Sequence, residues 1–259
     1  MSDTKWNVTF QVYRQKGDAS HYFQEYPMEV DPDEYVLDGI ERIWAFQDRS
    51  LTFRHACHHS TCGACGMRVN GVEKLTCITL MREVTQNGGV VRVEPMRNFP
   101  VVSDLVVDMG TFYQRMKLVE QRPVNDDRKE AIEPEARPAA RQTAPAADQQ
   151  PYIRLSDCIE CGLCISACPV SGSSEEYLGP AVLAGAHQHG IQGNPTLLSI
   201  VDSEDGIWRC HSAYECTAVC PSFVDPGWRI MDLRRQAVAE RLRQFFRGSK
   251  QPSAPEVTP

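Results

Sequence analysis

The chain contains eleven cysteines, and they fall in three tight groups instead of being scattered over its 259 residues. The first group has the spacing C-x4-C-x2-C-x11-C and consists of Cys57, Cys62, Cys65 and Cys77. Three close thiolates with a fourth at a distance are typical of a [2Fe-2S] site. Gly63 and Gly66 carry no side chain, so backbone amides can approach the sulfides there. The spacing predicts a [2Fe-2S] cluster wrapped by one loop and closed by Cys77.

Two other uses of this first group are open. Four thiolates can also bind tetrahedral zinc, but zinc sites usually pair two C-x2-C hooks, whereas this group has one hook with flanking cysteines. The adjacent His58 and His59 raise the possibility of a Rieske centre, in which two imidazoles replace two thiolates. Because four cysteines already fill the site, we predict that both histidines are exposed loop residues.

The second group has the spacing C-x2-C-x2-C-x3-C-P and consists of Cys158, Cys161, Cys164, Cys168 and Pro169. In bacterial ferredoxins, the fourth cysteine of such a run binds the other of two clusters. A second run can be placed on the third group, Cys210, Cys216 and Cys220, which Pro221 follows. Its remaining cysteine position is occupied by Ala213.

If the fourth cysteine of each run binds the cluster of the other run, the ligands of both clusters follow. A [4Fe-4S] cluster is predicted on Cys158, Cys161, Cys164 and Cys220. The other cluster is left with Cys168, Cys210 and Cys216. Because the methyl group of Ala213 cannot bind iron, a [3Fe-4S] cluster is predicted there; the alternative is that His211 or Glu215 supplies a fourth ligand. This assignment uses all eleven cysteines and leaves no thiol for a disulfide or a nucleophile.

The residues before the first group predict a small α+β domain. Residues 6–13 and 21–30 alternate apolar and polar side chains as two strands around Gly17. A helix is predicted from an N-cap at Asp31, with Pro32 and Glu34 in its first turn. Its apolar face is formed by Val36, Leu37, Ile40, Ile43 and Trp44. Further strands are predicted at 66–69 and 90–94, with a turn at 87–89.

The rest of the chain predicts a linker and a helical domain. Residues 103–120 have helical character, and the sequence then becomes rich in Pro, Ala, Gln and charge. Helices are predicted at 177–188 and 228–247. The predicted divisions are a first domain at 1–120, a linker at 121–150, a helical domain at 151–247 and a disordered tail at 248–259. The segment 227–250 carries six arginines with apolar companions, so it could face anionic headgroups or an anchor subunit, or simply pack on its own domain.

Charge, composition and the motifs that the sequence lacks argue against several classes of function. A net charge of −7 argues against nucleic-acid binding. The start of the sequence lacks a secretory or transit pattern, so a reducing cytoplasm is expected. No run of 18 apolar residues is present, so any membrane link is expected to go through a partner. The sequence also lacks a dinucleotide fingerprint, a P-loop and a nucleophile elbow, so two-electron chemistry is expected on another subunit.

In three stretches the sequence resembles one family, the iron-sulfur subunit of succinate dehydrogenase and fumarate reductase, or respiratory complex II. The stretches are RHACHHSTCGACGMRVNGVEKLTC, CIECGLCISACPV with EEYLGPA, and GIWRCHSAYECTAVCPSFVDP. The resemblance implies an α+β fold, with an N-terminal ferredoxin-like β-grasp domain followed by an all-α ferredoxin-type domain. It implies a flavoprotein partner with covalent FAD and a membrane anchor, sometimes with haem, at the cytoplasmic face of a bacterial inner membrane. Electrons would run from flavin through [2Fe-2S], [4Fe-4S] and [3Fe-4S] to quinone.

The resemblance also implies a quinone site beside the [3Fe-4S] cluster. Pro169 and His211 are the candidates, although His211 can also be read as a structural histidine. The segment 171–173, Ser-Gly-Ser, stands where ubiquinone-reducing members often have aromatic residues, and it is closer to fumarate reductases. Menaquinone is therefore favoured over ubiquinone. The leading function is succinate:quinone oxidoreduction, and the alternative is quinol:fumarate reduction.

Two rival functions come from other classes. The chain could be the iron-sulfur subunit of another flavin-linked dehydrogenase, but those subunits typically have two complete C-x2-C-x2-C-x3-C-P runs and lack the first group. It could also be a zinc-stabilised interaction scaffold without a redox role. Colour separates that last case, because a zinc protein is colourless and an iron-sulfur protein is brown.

Overall fold

The computed structural model describes residues 5–120 and 158–246. Its N-terminal part contains a five-stranded mixed sheet in the order β2-β1-β5-β3-β4. The strands are β1 (Trp6–Arg14), β2 (Tyr22–Val30), β3 (Gly66–Val69), β4 (Val72–Leu75) and β5 (Val90–Glu94). The central pair, β1 and β5, is parallel, and the other neighbours are antiparallel. The predicted strands at 6–13, 21–30, 66–69 and 90–94 are confirmed, and β4 was missed.

The helix α1 (Val36–Arg42) packs against the inner face of the sheet. Strand β1 turns every second side chain inward, and Val8, Phe10 and Val12 are buried. The helix approaches so closely that a methyl group at Gly39 would lie 2.4 Å from Cζ of Phe10. A π-helical turn at Ile43–Gln47 follows α1 and leads toward the first cysteine loop.

The start of α1 was predicted too early. Asp31 does not cap the helix; its Oδ1 accepts a hydrogen bond from the Asp33 backbone N–H at 2.9 Å, which closes a turn instead. The helix begins at Val36, and the Asp38 carboxylate accepts a bond from the Tyr35 N–H at 3.0 Å. Trp44 was placed on the apolar face but is 40% exposed; it lies in the π-helical turn, where the 3.6-residue spacing that predicted the face no longer applies.

A short helix, a hairpin and a longer helix complete the N-terminal part. They are α2 (Met81–Val84), β6 (Val101–Ser103), β7 (Val106–Val107) and α3 (Gly110–Glu120). The predicted helix over 103–120 is therefore wrong for its first seven residues. Asp104 breaks it with a φ of 47° and buries its carboxylate against Arg14, at 3.2 Å from Nε. Helix α3 begins where the Asp108 carboxylate accepts a bond from the Gly110 N–H at 2.7 Å.

Residues 158–246 contain helices and loops, which confirms the predicted helical C-terminal part and the α+β class. The helices are α4 (Leu163–Ala167), α5 (Pro180–His189), α6 (Pro195–Val201), α7 (Glu215–Ala218) and α8 (Pro226–Phe246), with a 3-10 turn at Ile207–Arg209. Helix α6 was missed although its start is well marked. Asn194 caps it by accepting a bond from the Leu197 N–H at 3.0 Å, and Pro195 is its first residue.

The two parts share one apolar core and a set of polar contacts. Helix α3 packs on α5, and Phe112 and Leu183 belong to the same buried cluster. The Asn98 amide lies 2.8 Å from the carbonyl oxygen of Ile165 and 2.9 Å from that of Cys168, so it satisfies the last carbonyls of α4. The Ser166 hydroxyl donates to Glu73 of β4 at 2.9 Å.

Helix α8 packs on its own domain through several of its arginines. Arg229 is only 1% exposed, Arg234 donates to the Ile207 carbonyl oxygen at 2.9 Å, and Arg241 pairs with Asp202 at 2.6 Å. These contacts favour packing of the helix on its own domain, and an additional contact with anionic headgroups or an anchor subunit stays a prediction. Among the helices of residues 5–120 and 158–246, none combines the length and the apolar character needed to span a bilayer. The predicted linker and tail lie outside the described residues.

Candidate iron-sulfur sites

The first cysteine group is assembled by the β3–β4 hairpin and the loop before it. Cys65 directly precedes β3 and Cys77 follows β4, so the antiparallel pairing brings the two together, and both are buried. Thr76 fixes this junction, because its backbone N–H and its hydroxyl both donate to the Cys65 carbonyl oxygen, at 3.2 and 3.0 Å. Cys57 and Cys62 lie on the preceding loop, where Cys62 is exposed.

Backbone amides point at the sulfur atoms of this loop. Cys57 Sγ accepts from the N–H groups of His59, Thr61 and Cys62 at 3.5, 3.3 and 3.4 Å. These bonds, led by that of His59, lower the pKa of Cys57 to about 6. Burial raises the pKa of Cys77 to about 12. Amide donors stabilise the Cys57 thiolate, and a bound metal ion would favour loss of the proton from the buried Cys77 thiol, so the group fits an iron site.

The cysteines predicted to hold the [4Fe-4S] cluster line one cavity. Its lining includes Cys158, Cys161, Cys164 and Cys220, the last brought in from the end of α7. Burial raises the pKa of Cys161 to about 12 and that of Cys164 well above its usual value. The loop is shaped by left-handed backbone at Glu160 and Gly162, with φ values of 52° and 79°.

The buried side chain of Arg229 lies beside this cavity and shows whether the cavity suits a negatively charged cluster. Arg229 donates from Nε to the Val224 carbonyl oxygen at 2.8 Å, and its Nη1 has no hydrogen-bond partner in the described part of the chain. Burial lowers the pKa of Arg229, while Asp225 and the thiolates of Cys158 and Cys220 oppose that shift. An unpaired buried guanidinium is costly. A cluster on four thiolates carries net negative charge and would provide its counter-charge.

The remaining three cysteines line a second cavity. Cys168, Cys210 and Cys216 lie there, and so does Ala213. Cys210 Sγ accepts from the Ser212 N–H at 3.4 Å, and burial raises the pKa of Cys216 to about 12. Tyr177, which is 1% exposed, faces the same sulfur atoms; burial, then the charges of Cys210 and Cys168, raise its pKa. The site thus joins three thiols and one methyl group.

The structure brings together the three sets of cysteines that the spacing predicts, while their roles as ligands stay predictions. His211 and Glu215 line the same cavity as Ala213, so both remain candidates for a fourth ligand. Pro169 also lines it, and both Pro169 and His211 are exposed, as a quinone contact requires. His58 and His59 are exposed, as predicted.

Sequence reasoning missed how the two cluster loops meet. A methyl group at Gly63 would lie 2.8 Å from Cβ of Cys161 and 3.0 Å from the Ile159 carbonyl oxygen. Gly66 faces Leu163, whose Cδ2 would be 3.1 Å away. Both glycines therefore allow the first loop to contact the second one, besides leaving room for backbone amides. Arg229 and Tyr177 were missed as well, because their surroundings depend on tertiary packing.

Comparison with protein families matches both halves of the chain. Residues 9–114 match the family described as "2Fe-2S iron-sulfur cluster binding domain". Residues 154–224 match the family described as "4Fe-4S dicluster domain". The first match contains the first cysteine group and the sheet except for the first three residues of β1, and the second match contains the other two cysteine groups.

Curated relatives cover nearly the whole chain. The "Fumarate reductase iron-sulfur subunit" of Mycobacterium tuberculosis is 35% identical over 90% of this chain and 93% of the relative. The protein of the same name from Haemophilus influenzae is 32% identical over 85% and 88%. The mitochondrial "Succinate dehydrogenase [ubiquinone] iron-sulfur subunit" of Candida glabrata is 30% identical over 88% and 90%.

A solved structure agrees with these relatives. A chain of the "Mycobacterium smegmatis Sdh1 complex in the apo form" superimposes with a TM-score of 0.71 and 26% identity. The match covers 92% of this chain and 98% of that chain.

Proposed function

Because the chain belongs to the family of fumarate reductase and succinate dehydrogenase iron-sulfur subunits, we propose that it carries single electrons between a flavin and a membrane quinone. The observation that carries this proposal is the arrangement of its eleven cysteines in three cavities or loops, two of which touch at Gly63 and Cys161. A scaffold with one structural metal needs neither three sites nor contact between them.

The ligand sets proposed follow from the spacing of the cysteines, and the cavities that the second and third groups line support them. Cys57, Cys62, Cys65 and Cys77 hold [2Fe-2S]; Cys158, Cys161, Cys164 and Cys220 hold [4Fe-4S]; Cys168, Cys210 and Cys216 hold [3Fe-4S]. When bound, these clusters supply reversible one-electron redox chemistry. The chain's own residues shape the sites: amides donate to sulfur, Arg229 balances charge, and the β3–β4 hairpin fixes Cys65 against Cys77.

The partners proposed are an FAD-containing flavoprotein and a membrane anchor, with haem in the anchor as an option of the family. Support comes from the relatives' names, from the Sdh1 complex, and from the lack of a catalytic motif in this sequence. We place the chain at the cytoplasmic face of a bacterial inner membrane, attached through that anchor. The domain division at 1–120, 121–150 and 151–247 belongs to this proposal too, with a terminal segment at 248–259.

The quinone end is proposed at Pro169 and His211, which line the cavity of the three-cysteine site and are exposed. The direction proposed is succinate oxidation with quinone reduction, with menaquinone as the favoured quinone. Quinol:fumarate reduction is the second candidate. It is favoured by the names of the Mycobacterium tuberculosis and Haemophilus influenzae relatives and by the Ser-Gly-Ser segment at 171–173.

The experiment is to purify the complex through a tag on this chain and to assay both directions. Succinate-dependent quinone reduction and quinol-dependent fumarate reduction are measured with menaquinone and ubiquinone analogues in parallel. The proposal expects a flavoprotein to co-purify and succinate oxidation with the menaquinone analogue to exceed fumarate reduction. The reverse ratio selects the second candidate. A colourless protein without either activity contradicts both.

A further inference from the structure

A cluster of two imidazoles and one carboxylate lies outside the three cysteine sites. Glu41 projects from the last turn of α1, and His55 and His58 project from the loop on either side of Cys57. His55 Nδ1 lies 2.9 Å from Glu41 Oε1, and His58 Nε2 lies 3.2 Å from the same oxygen. The two ring nitrogens are 3.3 Å apart. Three donor atoms thus converge on one point from two elements.

These separations match the geometry of a tetrahedral zinc ion. With bonds of about 2.0–2.1 Å to nitrogen and oxygen, neighbouring ligands of such an ion lie about 3.3 Å apart. A triangle with sides of 2.9, 3.2 and 3.3 Å can be bridged by one ion at that bond length. Two histidines and one glutamate are also a ligand set that zinc uses, with the fourth position left open.

The carboxylate supplies a second observation. Glu41 Oε1 is shielded from solvent, and the ring nitrogens of His55 and His58 face it at 2.9 and 3.2 Å. When those two nitrogens carry no proton, three acceptor atoms meet at one point, and a cation at the centre of the triangle would satisfy all three. The side chains of the three residues are between 29% and 44% exposed, so an ion can reach the site. His55 is further held by stacking on Phe53, with ring centroids 5.0 Å apart.

We propose that Glu41, His55 and His58 form a binding site for a divalent transition cation, zinc in the first place. The ion would tie the end of α1 to the loop that carries Cys57 and leave one coordination position for water or a partner's side chain. This site is separate from the thiolate sites and does not depend on the direction of electron transfer. Its metal-free alternative is a hydrogen bond between the two imidazoles.

The test is equilibrium dialysis of the purified complex against Zn²⁺, with zinc and iron counted per chain. Wild type should bind one zinc beyond its unchanged iron content. His55→Asn and His58→Asn should each weaken zinc binding by at least about tenfold, since loss of even an outer partner of a metal ligand costs 10–100-fold. His21→Asn is the matched control, because His21 is an exposed histidine that stacks on Tyr13 in another part of the sheet.

X-ray absorption at the zinc edge separates this site from iron replacement. The proposal expects nitrogen and oxygen neighbours at about 2.0–2.1 Å, and Glu41→Gln should weaken binding without changing the iron content. A sulfur shell at about 2.3 Å shows zinc on cysteines and overturns the proposal. So does wild type that binds no zinc, or equal binding by wild type, His55→Asn and His58→Asn.

Discussion

At the residue scale, the proposed [3Fe-4S] cluster depends on Ala213. It lines the cavity of Cys168, Cys210 and Cys216 at the position where the repeated spacing calls for a cysteine. We expect Ala213→Cys to complete the ligand set and convert [3Fe-4S] into [4Fe-4S]. Iron should rise from about nine to about ten atoms per chain, and the EPR signal of the oxidised protein should disappear.

A matched control for this substitution is Ala218→Cys. Ala218 lies on α7 close by, is exposed and does not line the cavity, so its thiol should leave both iron content and spectrum unchanged. If Ala213→Cys behaves like this control, His211 or Glu215 already binds the fourth iron. The ligand assignment of the third site would then be wrong.

Arg229 is the second residue whose chemistry depends on its neighbour. Its buried guanidinium lies beside Cys158 and Cys220. A positive charge favours the more negative, reduced state of a cluster, so Arg229→Gln should lower the potential of the [4Fe-4S] centre. If the charge is worth about 1 kcal/mol, the shift is about 40 mV for one electron. A redox titration followed by EPR measures it.

The control for that titration is Arg235→Gln. Arg235 lies on the same helix and is exposed, so the same loss of charge is screened by solvent and should shift the potential far less. Equal shifts in both variants would show that only net charge matters. The buried guanidinium would then have no specific role at the cluster.

At the scale of elements, the contact between the two cysteine loops depends on Gly63. Its φ is 71°, and a methyl group there would lie 2.8 Å from Cys161 Cβ. Gly63→Ala should force the loops apart, lower the stability of the folded protein by about 1–3 kcal/mol through overpacking, and reduce turnover of the complex. Thermal unfolding followed by visible circular dichroism, together with the succinate assay, measures both effects.

Gly88→Ala is the control that separates the steric collision in Gly63→Ala from its backbone strain. Gly88 has a φ of 78°, but a methyl group there would meet nothing within 4 Å. This variant therefore carries the same backbone strain without the collision, and its turnover should equal that of wild type. Equal loss of turnover in both variants would assign the effect to strain and not to the loop contact.

A buried ion pair between Arg14 of β1 and Asp104 of the β6–β7 hairpin joins these two elements. Burial would raise the pKa of Asp104, but hydrogen bonds led by that of Lys16 outweigh it, so the pKa is lowered. Asp104→Asn removes one of the two carboxylates that pair with Arg14 and leaves Asp48 as the other. The variant should therefore lower the free energy of unfolding by about 1–3 kcal/mol.

The lowered pKa of Asp104 predicts how the stability of the protein depends on pH. A carboxylate with a lowered folded-state pKa contributes its stability above its unfolded pKa of about 4 and loses it as the pH falls through the folded value. Wild type should lose stability below about pH 4 more steeply than Asp104→Asn. Asp18→Asn, at an exposed residue of the β1–β2 turn, should change stability by less than about 0.5 kcal/mol. A difference between wild type and Asp104→Asn that does not vary with pH would contradict the ion-pair account.

At the scale of the whole molecule, the sequence predicts features that depend on spacing and misses those that depend on packing. The three cysteine sets could be found because iron demands fixed ligand types at short spacing. The strand of residues 6–13 was visible because its alternation reflects one buried face. The start of α1 and the hairpin near Asp104 were missed, because Asp31 serves a turn and Asp104 pairs with Arg14 from a distant strand.

The junction of the two parts shows the same limit. Asn98, Ser166 and Glu73 join α4 to the sheet, yet nothing in their local sequence marks them. Arg229 reads as one of several basic residues on α8 until the fold turns it toward two cysteines. Such residues become visible only when both parts are packed together.

For the whole molecule we propose that this chain holds a [2Fe-2S], a [4Fe-4S] and a [3Fe-4S] cluster. The measurement that tests all three together is low-temperature EPR of the complex as isolated and after dithionite reduction, with iron and sulfide counted on the same sample. We expect a [3Fe-4S] signal in the oxidised sample, an added [2Fe-2S] signal on reduction, and about nine iron atoms per chain. An oxidised sample that is EPR-silent, with iron that fits two cubanes, would contradict the assignment at Ala213.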